Sequence, residues 1–600
     1  LQAFHAALAG LIPGIPENEP DALPDAAQLY EENAIYEALE GKADALEARY
    51  RRGKNRDDLR RALSCHRLAA QTEIMLRRFL QYESSKITLL SQSRRRAAKA
   101  IAIARELYAA TADISLLYEA WAVAEQVKSV ILLEAVQNNR FRDEVGAGDP
   151  LPAEARRIRQ QVAYFERQLL LEPSSTLRPE WVVQLEELKR RLTETERELQ
   201  ERYPAWTTLR AKTETFSGIS IQAFRDSLPG YALVEYFAGE EQIEVFGQSP
   251  QGKAVWITIP QADSLGAGVQ RFLSLMQSRT ALQSPEAYRR TAYDLYAQLL
   301  EPLLRAFGEQ PRNLLIVPDA WLAFLPFEAL YSEPAPEGGW ERAPFLLRSY
   351  GIHYDFSLAV SQSRRGLSRL AARNIAQFAP RFQDGRRNLP PLLQSAAEAP
   401  VSNTCKSKQY VDADADFETF RQKASQYRVL HLSTHAGVDS GGVLPRVEFY
   451  DRSAYLPDVY ALDLRAELVV LSACQTALGQ FRQGEGVMSL SRAFTYAGAK
   501  TLEASLWTIN ETSTAKILQQ MYSMLDGGAA KPRALQEAKL RYLDDATVPA
   551  WEKSPYYWAG LVYAGDEAGM AVAPCSSRWW WWPALIGLPV LLWMIRRRKR

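Results

Sequence analysis

Near residue 217 the hydrophobic rhythm of the chain changes, and that change dictates a two-part fold. Upstream, apolar residues recur at helical spacing. Residues 38–50, 57–80, 93–110 and 116–136 each read as a helix, broken by Arg52-Gly53-Lys54-Asn55, with Asp113 placed as an N-cap. Residues 152–203 are rich in Arg, Glu, Gln and Leu, and Glu172-Pro173-Ser174-Ser175 divides them into a helical hairpin that Pro204 ends. Its charge run reads as a solvated face. Downstream the pattern is short apolar runs. Residues 231–237 and 242–246 form a hairpin signal, and 255–259, 313–317, 351–354, 374–378, 428–433, 468–472, 501–506 and 559–563 are further strand candidates. Helical segments separate most of them, notably 416–426, 487–497, 512–525 and 533–543. Apolar strands alternating with helices predict a parallel-rich sheet covered on both faces, with sites beyond the C-terminal strand ends.

At 600 residues, several units are expected. The boundaries drawn are a helical region at 1–140, a helical hairpin and linker at 141–216, a first α/β half at 217–370 and a second at 371–567. A linker at 568–578, an apolar segment at 579–595 and a basic tail at 596–600 complete the chain. The irregular helical period in 26–140 resembles tetratricopeptide-type hairpins, which stack into a concave surface for a partner protein.

Charge excludes one partner class. Lys and Arg total 72 and Asp and Glu 71, a net of +1, and no basic–aromatic stripe is present, so nucleic acid is not an expected ligand. Cys65, Cys405, Cys474 and Cys575 lie far apart, which excludes a disulfide scaffold and a CxxC metal module. No metal and no cofactor is expected.

The chain begins at Leu1 instead of Met, as a fragment or processed product does, which leaves a signal peptide open. Residues 579–595 carry no charge, begin with four tryptophans, and run between Arg578 and the tail Arg596-Arg597-Arg598-Lys599-Arg600. They predict a C-terminal transmembrane helix with an aromatic belt, and hence a single-pass membrane protein. The side of the catalytic body stays open. A basic tail in the cytosol places the body outside, whereas a free catalytic thiol without paired cysteines suits a reducing compartment.

Two strand ends carry the chemistry. Val429 to Ser433 runs into Thr434-His435-Ala436-Gly437, and Leu468 to Ser472 runs into Ala473-Cys474-Gln475-Thr476. One crossover can place these strands side by side, turning His435 and Cys474 into one crevice. An imidazole beside a thiol activates it. The sulfur attacks a carbonyl, His435 protonates the departing amine, and backbone N–H groups of Cys474 and of Ala436 or Gly437 hold the oxyanion. His431 lies four strand residues before His435, about 13 Å away, too far to share a metal, and reads as structural.

The segment HLSTHAG at 431–437 and the block at 471–515 resemble the CHAT domain, a caspase-related cysteine peptidase group often joined to tetratricopeptide repeats. The segments LLIVPDAWLAFLPFEAL at 314–330, YWAGLVYAGD at 557–566 and AWAVAEQVKSVILLEAV at 120–136 resemble other parts of that family. The resemblance implies a caspase-like α/β fold of two related halves, the second carrying the dyad, with the family's histidine at His435 and its cysteine at Cys474. Substrate-pocket candidates are Gln475, Glu485, Trp507, Asn510 and Glu511, with Glu511 standing where the family commonly has Asp. Ala436 stands where many relatives have Gly.

The function expected is a membrane-anchored, caspase-like cysteine endopeptidase that cuts a protein substrate and is regulated by a protein bound to the helical region. The alternative is a catalytically silent, membrane-tethered scaffold.

Overall fold

In the computed structural model the described residues are 1–79, 83–145, 149–203, 217–277, 285–334, 338–367, 371–401, 404–438, 445–477, 479–482 and 484–570. Among the described residues the chain opens with the α-helices α1 Gln2–Leu11, α2 Asn33–Gly53, α3 Arg56–Phe79, α4 Glu83–Thr111, α5 Ile114–Gln126, α6 Val130–Val145, α7 Leu151–Leu171 and α8 Arg178–Arg202. Their ends follow local chemistry. Asp113 caps α5 by accepting from the Ser115 N–H at 3.0 Å. Lys54 ends α2 in the left-handed region, with φ at 54°.

The strands are β1 Tyr231–Ala238, β2 Gln242–Gln248, β3 Ala254–Pro260, β4 Asn313–Val317, β5 Gly351–Tyr354, β6 Arg373–Ala379, β7 Lys408–Val411, β8 Tyr427–Ser433, β9 Ala436–Val438, β10 Pro445–Glu448, β11 Ser453–Tyr455, β12 Leu468–Ser472, β13 Gly479–Arg482, β14 Gly486–Ser489, β15 Thr501–Ser505 and β16 Leu561–Gly565. Among the described residues, eleven of them form one sheet in the order β3-β2-β1-β4-β5-β16-β15-β12-β8-β6-β7. The two halves therefore share a continuous sheet. Its seam is the last strand, β16, which runs parallel to β5 and antiparallel to β15.

Strand alternation sorts the core. On β1 and β4, Leu233, Phe237, Leu315 and Val317 face the N-terminal helices, packing with Leu107, Trp121 and Leu132. Ala232, Val234, Leu314 and Ile316 face the opposite layer, with Phe272, Tyr288 and Leu303. In the second half Leu430, Leu432, Val469 and Leu471 pack on Phe420 and Phe494. Val429 and Val470 pack on Leu518 and Tyr522 of the helix Glu511–Asp526. One face of the helical array is thus occupied in covering the first half of the sheet.

The expected C-terminal transmembrane helix, and the single-pass membrane localisation with it, is corrected. No helix among the described residues is long and apolar enough to cross a membrane. Residues 579–595, where the span was placed, lie outside the described residues. The physical reason is length and composition. At about 1.5 Å per residue that segment reaches roughly 25 Å, the short end of what a bilayer core of about 30 Å requires. It also contains Pro583, Gly587 and Pro589, which disfavour helix.

Candidate active site

β8 and β12 are adjacent and parallel, with Ser433 opposite Ser472. His435 and Cys474 each follow two residues later, so they leave neighbouring strands at equal depth on the C-terminal edge of the sheet. The histidine loop is fastened by the Thr434 N–H to Ser472 O at 3.3 Å and by the Glu448 N–H to His435 O at 2.8 Å. The Thr434 hydroxyl adds a bond to Glu448 O at 2.6 Å. The cysteine loop turns at Gln475, whose φ is 58°. It is held by the Gln475 N–H to Trp507 O at 3.3 Å and the Ala477 N–H to Ser505 O at 2.9 Å. The two loops face each other: a Cβ built on Gly437 would lie 3.9 Å from Gln475 Oε1.

His435 is half-buried, and its ring packs on Phe382 with centroids 5.5 Å apart. Its Nε2 donates to the Pro390 carbonyl at 2.7 Å. A carbonyl can only accept, so in the neutral ring the proton sits on Nε2 and the lone pair is left on Nδ1. Cys474 is a half-buried free thiol. Burial pushes it above the ordinary thiol range, against the opposing hydrogen bonds to sulfur from the Ile509 backbone and the Thr508 side chain. The resting sulfur therefore holds its proton at neutral pH, whereas an imidazolium neighbour predicts a lowered value.

The other sequence candidates divide. Ala436 and Gly437 begin β9, which pairs with β10 through Gly437 opposite Arg446. Gln475 borders the crevice. Glu485 does not: it is fully buried, accepts from the Ile131 N–H at 2.9 Å and pairs with Arg492, tying the β13–β14 turn to α6. Trp507 is 2% exposed and donates to Tyr556 O at 3.1 Å, a core anchor under the loop. Asn510 caps the helix Glu511–Asp526 by accepting from the Ser513 N–H at 3.0 Å. Glu511 accepts from the Gln394 and Ser395 N–H groups. His431 is buried between Tyr522 OH and Glu398 Oε2, each at 2.8 Å.

Sequence reasoning misses the segment around 382–395. Its one visible signal is Pro390-Pro391, which reads only as a helix-free stretch. It also misses a pairing: Cys405 is disulfide-bonded, so the cysteines are not all unpaired. Among the described residues no group of three His, Cys, Asp or Glu is arranged to hold a metal ion.

An α/β domain with a histidine and a cysteine at adjacent strand ends is the class the fold defines. Residues 289–566 match the family model of the CHAT domain, so the resemblance read from the His and Cys segments holds over that region. The chain is 31% identical over 110 residues to human tetratricopeptide repeat protein 28, and 30% identical over 110 residues to the mouse protein. Those stretches cover 18% of this chain and 4% of each relative, so the chain spans a small part of the curated relatives it matches. Two crystal structures of the Saccharomyces cerevisiae separase–securin complex are also similar. The first is 10% identical with a TM-score of 0.36, covering 90% of this chain and 48% of that one. The second is 9% identical with a TM-score of 0.36, covering 89% and 49%.

Proposed function

We propose that the chain is a caspase-like cysteine endopeptidase acting on a protein substrate through His435 and Cys474. The observation that carries the reading is the strand register, which brings the two residues off neighbouring strands at the same depth. With Nε2–H committed to Pro390 O, Nδ1 is the base, oriented by a third group as a nucleophile–base pair requires. Nδ1 takes the thiol proton as Sγ bonds to the peptide carbonyl carbon. Backbone N–H groups of Cys474 and of Ala436 or Gly437 hold the oxyanion. Collapse breaks the C–N bond, and His435 delivers its proton to the departing amine. Water, deprotonated by His435, then cleaves the thioester, releasing the acid and restoring the thiol.

Regulation by a protein bound to the helical region is part of the reading. A cavity of about 560 Å³ between α3, α4, α5 and the helix Gly218–Asp226, lined by Leu63, Ile74, Ile114 and Tyr118, supports it. Cys474→Ala is expected to abolish cleavage of protein and peptide substrates while thermal unfolding stays unchanged. Cleavage that survives the substitution sinks the proposal.

One observation favours a second reading, a catalytically silent scaffold: burial keeps the Cys474 thiol protonated at rest. Alkylation rates separate the two. A silent Cys474 reacts no faster than the buried Cys65, whose thiol burial pushes up to about 12.

A further inference from the structure

The loop after β15 touches both members of the dyad's surroundings. Thr508 and Ile509 hydrogen-bond the Cys474 sulfur. Two residues on, the Glu511 carboxylate accepts the Gln394 N–H and, at 3.2 Å, the Ser395 N–H through the same Oε1. Those amides belong to the strap whose Pro390 carbonyl orients His435. Among the described residues, one backbone bond holds the strap between Pro390 and Gln394. Proline supplies no N–H at Pro390 or Pro391, the Leu392 N–H goes to Arg381 O, and Leu393 is 69% exposed. Beyond Glu511 the strap is anchored by Gln377 to Ser395 O, Gln519 to Ala397 O, and Glu398 to His431 and Ser433. Glu511 is the side-chain anchor nearest to Pro390 on its C-terminal side, Arg387 holding the other side through Phe449 O and Glu448, and it comes from the loop that holds the nucleophile.

We propose that Glu511 is a positioning residue: by gripping the Gln394 and Ser395 amides it sets the Pro390 carbonyl that orients His435, and so ties the base to the loop holding Cys474. The inference rests on the peptidase reading and assigns Glu511 a role other than a wall of the substrate pocket. Charge-assisted bonds to a carboxylate are the strong ones, and removing their acceptor lets the strap drift and the imidazole rotate.

The test is alkylation of Cys474 in the full chain by iodoacetamide, followed by mass spectrometry between pH 5 and 9. The reagent is small enough to bypass substrate recognition. Glu511→Ala is expected to slow the reaction at pH 7 by about tenfold and to move the pH profile upward, as loss of an aligned base does. Glu511→Gln, whose side-chain carbonyl still accepts both amides, is expected to stay within about threefold of wild type. Gln394→Pro deletes one donor from the strap side and is expected to follow Glu511→Ala, which keeps the question answerable should that variant unfold. A wild-type rate and profile in folded Glu511→Ala overturns the proposal. So does a Glu511→Gln variant as slow as Glu511→Ala, which assigns the effect to charge alone. If His435→Ala leaves wild-type alkylation unchanged, the dyad reading itself fails and takes this inference with it.

Discussion

The two halves of the sheet end their strands in opposite ways. In the first half, β4 runs into Asp319 and β5 into Asp355, and both acids are engaged in ion pairs. Asp319 pairs with Arg94 of α4 and accepts the Ala238 N–H at 2.8 Å. Burial pushes its carboxyl up, but Arg94 and Lys128 outweigh this and hold it below the usual carboxylate range. Asp355 pairs with Arg364, both side chains fully buried. In the second half, β8 and β12 end at an imidazole whose Nδ1 has no partner among the described residues and at a thiol that burial keeps protonated, both half-buried. The same architecture engages one set of strand ends in ion pairs and leaves the other outside any ion pair among the described residues. A strand end becomes a candidate site only when its polar group keeps chemistry that the fold has not consumed.

Four measurements break or sharpen that contrast. The largest effect is expected from His435→Ala, which should lower peptide hydrolysis by about a thousandfold, roughly 4 kcal/mol of transition-state stabilisation, while leaving the melting temperature nearly unchanged. A comparable drop in melting temperature would make His435 structural. Arg364→Met strands the buried Asp355 carboxylate and should cost about 3 kcal/mol in denaturant unfolding. A loss below about 1 kcal/mol would show that the first half is not bolted by this pair.

The third prediction concerns His353, fully buried on β5 beside Tyr231, with neither ring nitrogen partnered among the described residues. Burial lowers its pKa from 6.5 to about 3. Between those values the unfolded chain takes up a proton that the folded chain refuses, so stability is full above about pH 6.5 and falls on acidification towards pH 3. The slope approaches about 1.4 kcal/mol per pH unit for this one group. His353→Phe should therefore raise the melting temperature more at pH 5 than at pH 7.5, and equal shifts at both would refute the assignment. The smallest effect is on the reactive side. Thr508→Val removes a hydrogen bond to sulfur and should raise the thiol pKa further, slowing alkylation at pH 7 by a fewfold, on the order of one modest hydrogen bond. An unchanged rate would remove Thr508 from the site.

Much of the sheet is legible in the amino-acid pattern. The apolar runs at 313–317 and 468–472 coincide with β4 and β12, because buried strands are continuous in hydrophobicity and stop at polar residues. The short strands β7, β9–β11, β13 and β14 are not legible. They hold three or four residues each with mixed polarity, too few for a period to register. Asn510 and Trp507 read as pocket residues because they sit in a family segment. Their roles, a helix cap and a buried anchor, are decided by neighbours at Ser513 and Tyr556. Glu485 carries an acid's usual signature of a helix N-terminus, yet α6, more than three hundred positions earlier, claims its carboxylate.

Alone, the sequence determined the change from helical array to alternating strands, the two strand ends bearing His435 and Cys474, and their common direction, because periodicity and strand-end chemistry are local properties. Tertiary structure decided that the C-terminal strand joins both halves into one sheet, that a proline carbonyl from a distant strap selects the histidine tautomer, and that burial keeps the sulfur protonated. Those outcomes depend on which surfaces exclude water from one another, and no window of neighbouring residues contains that information.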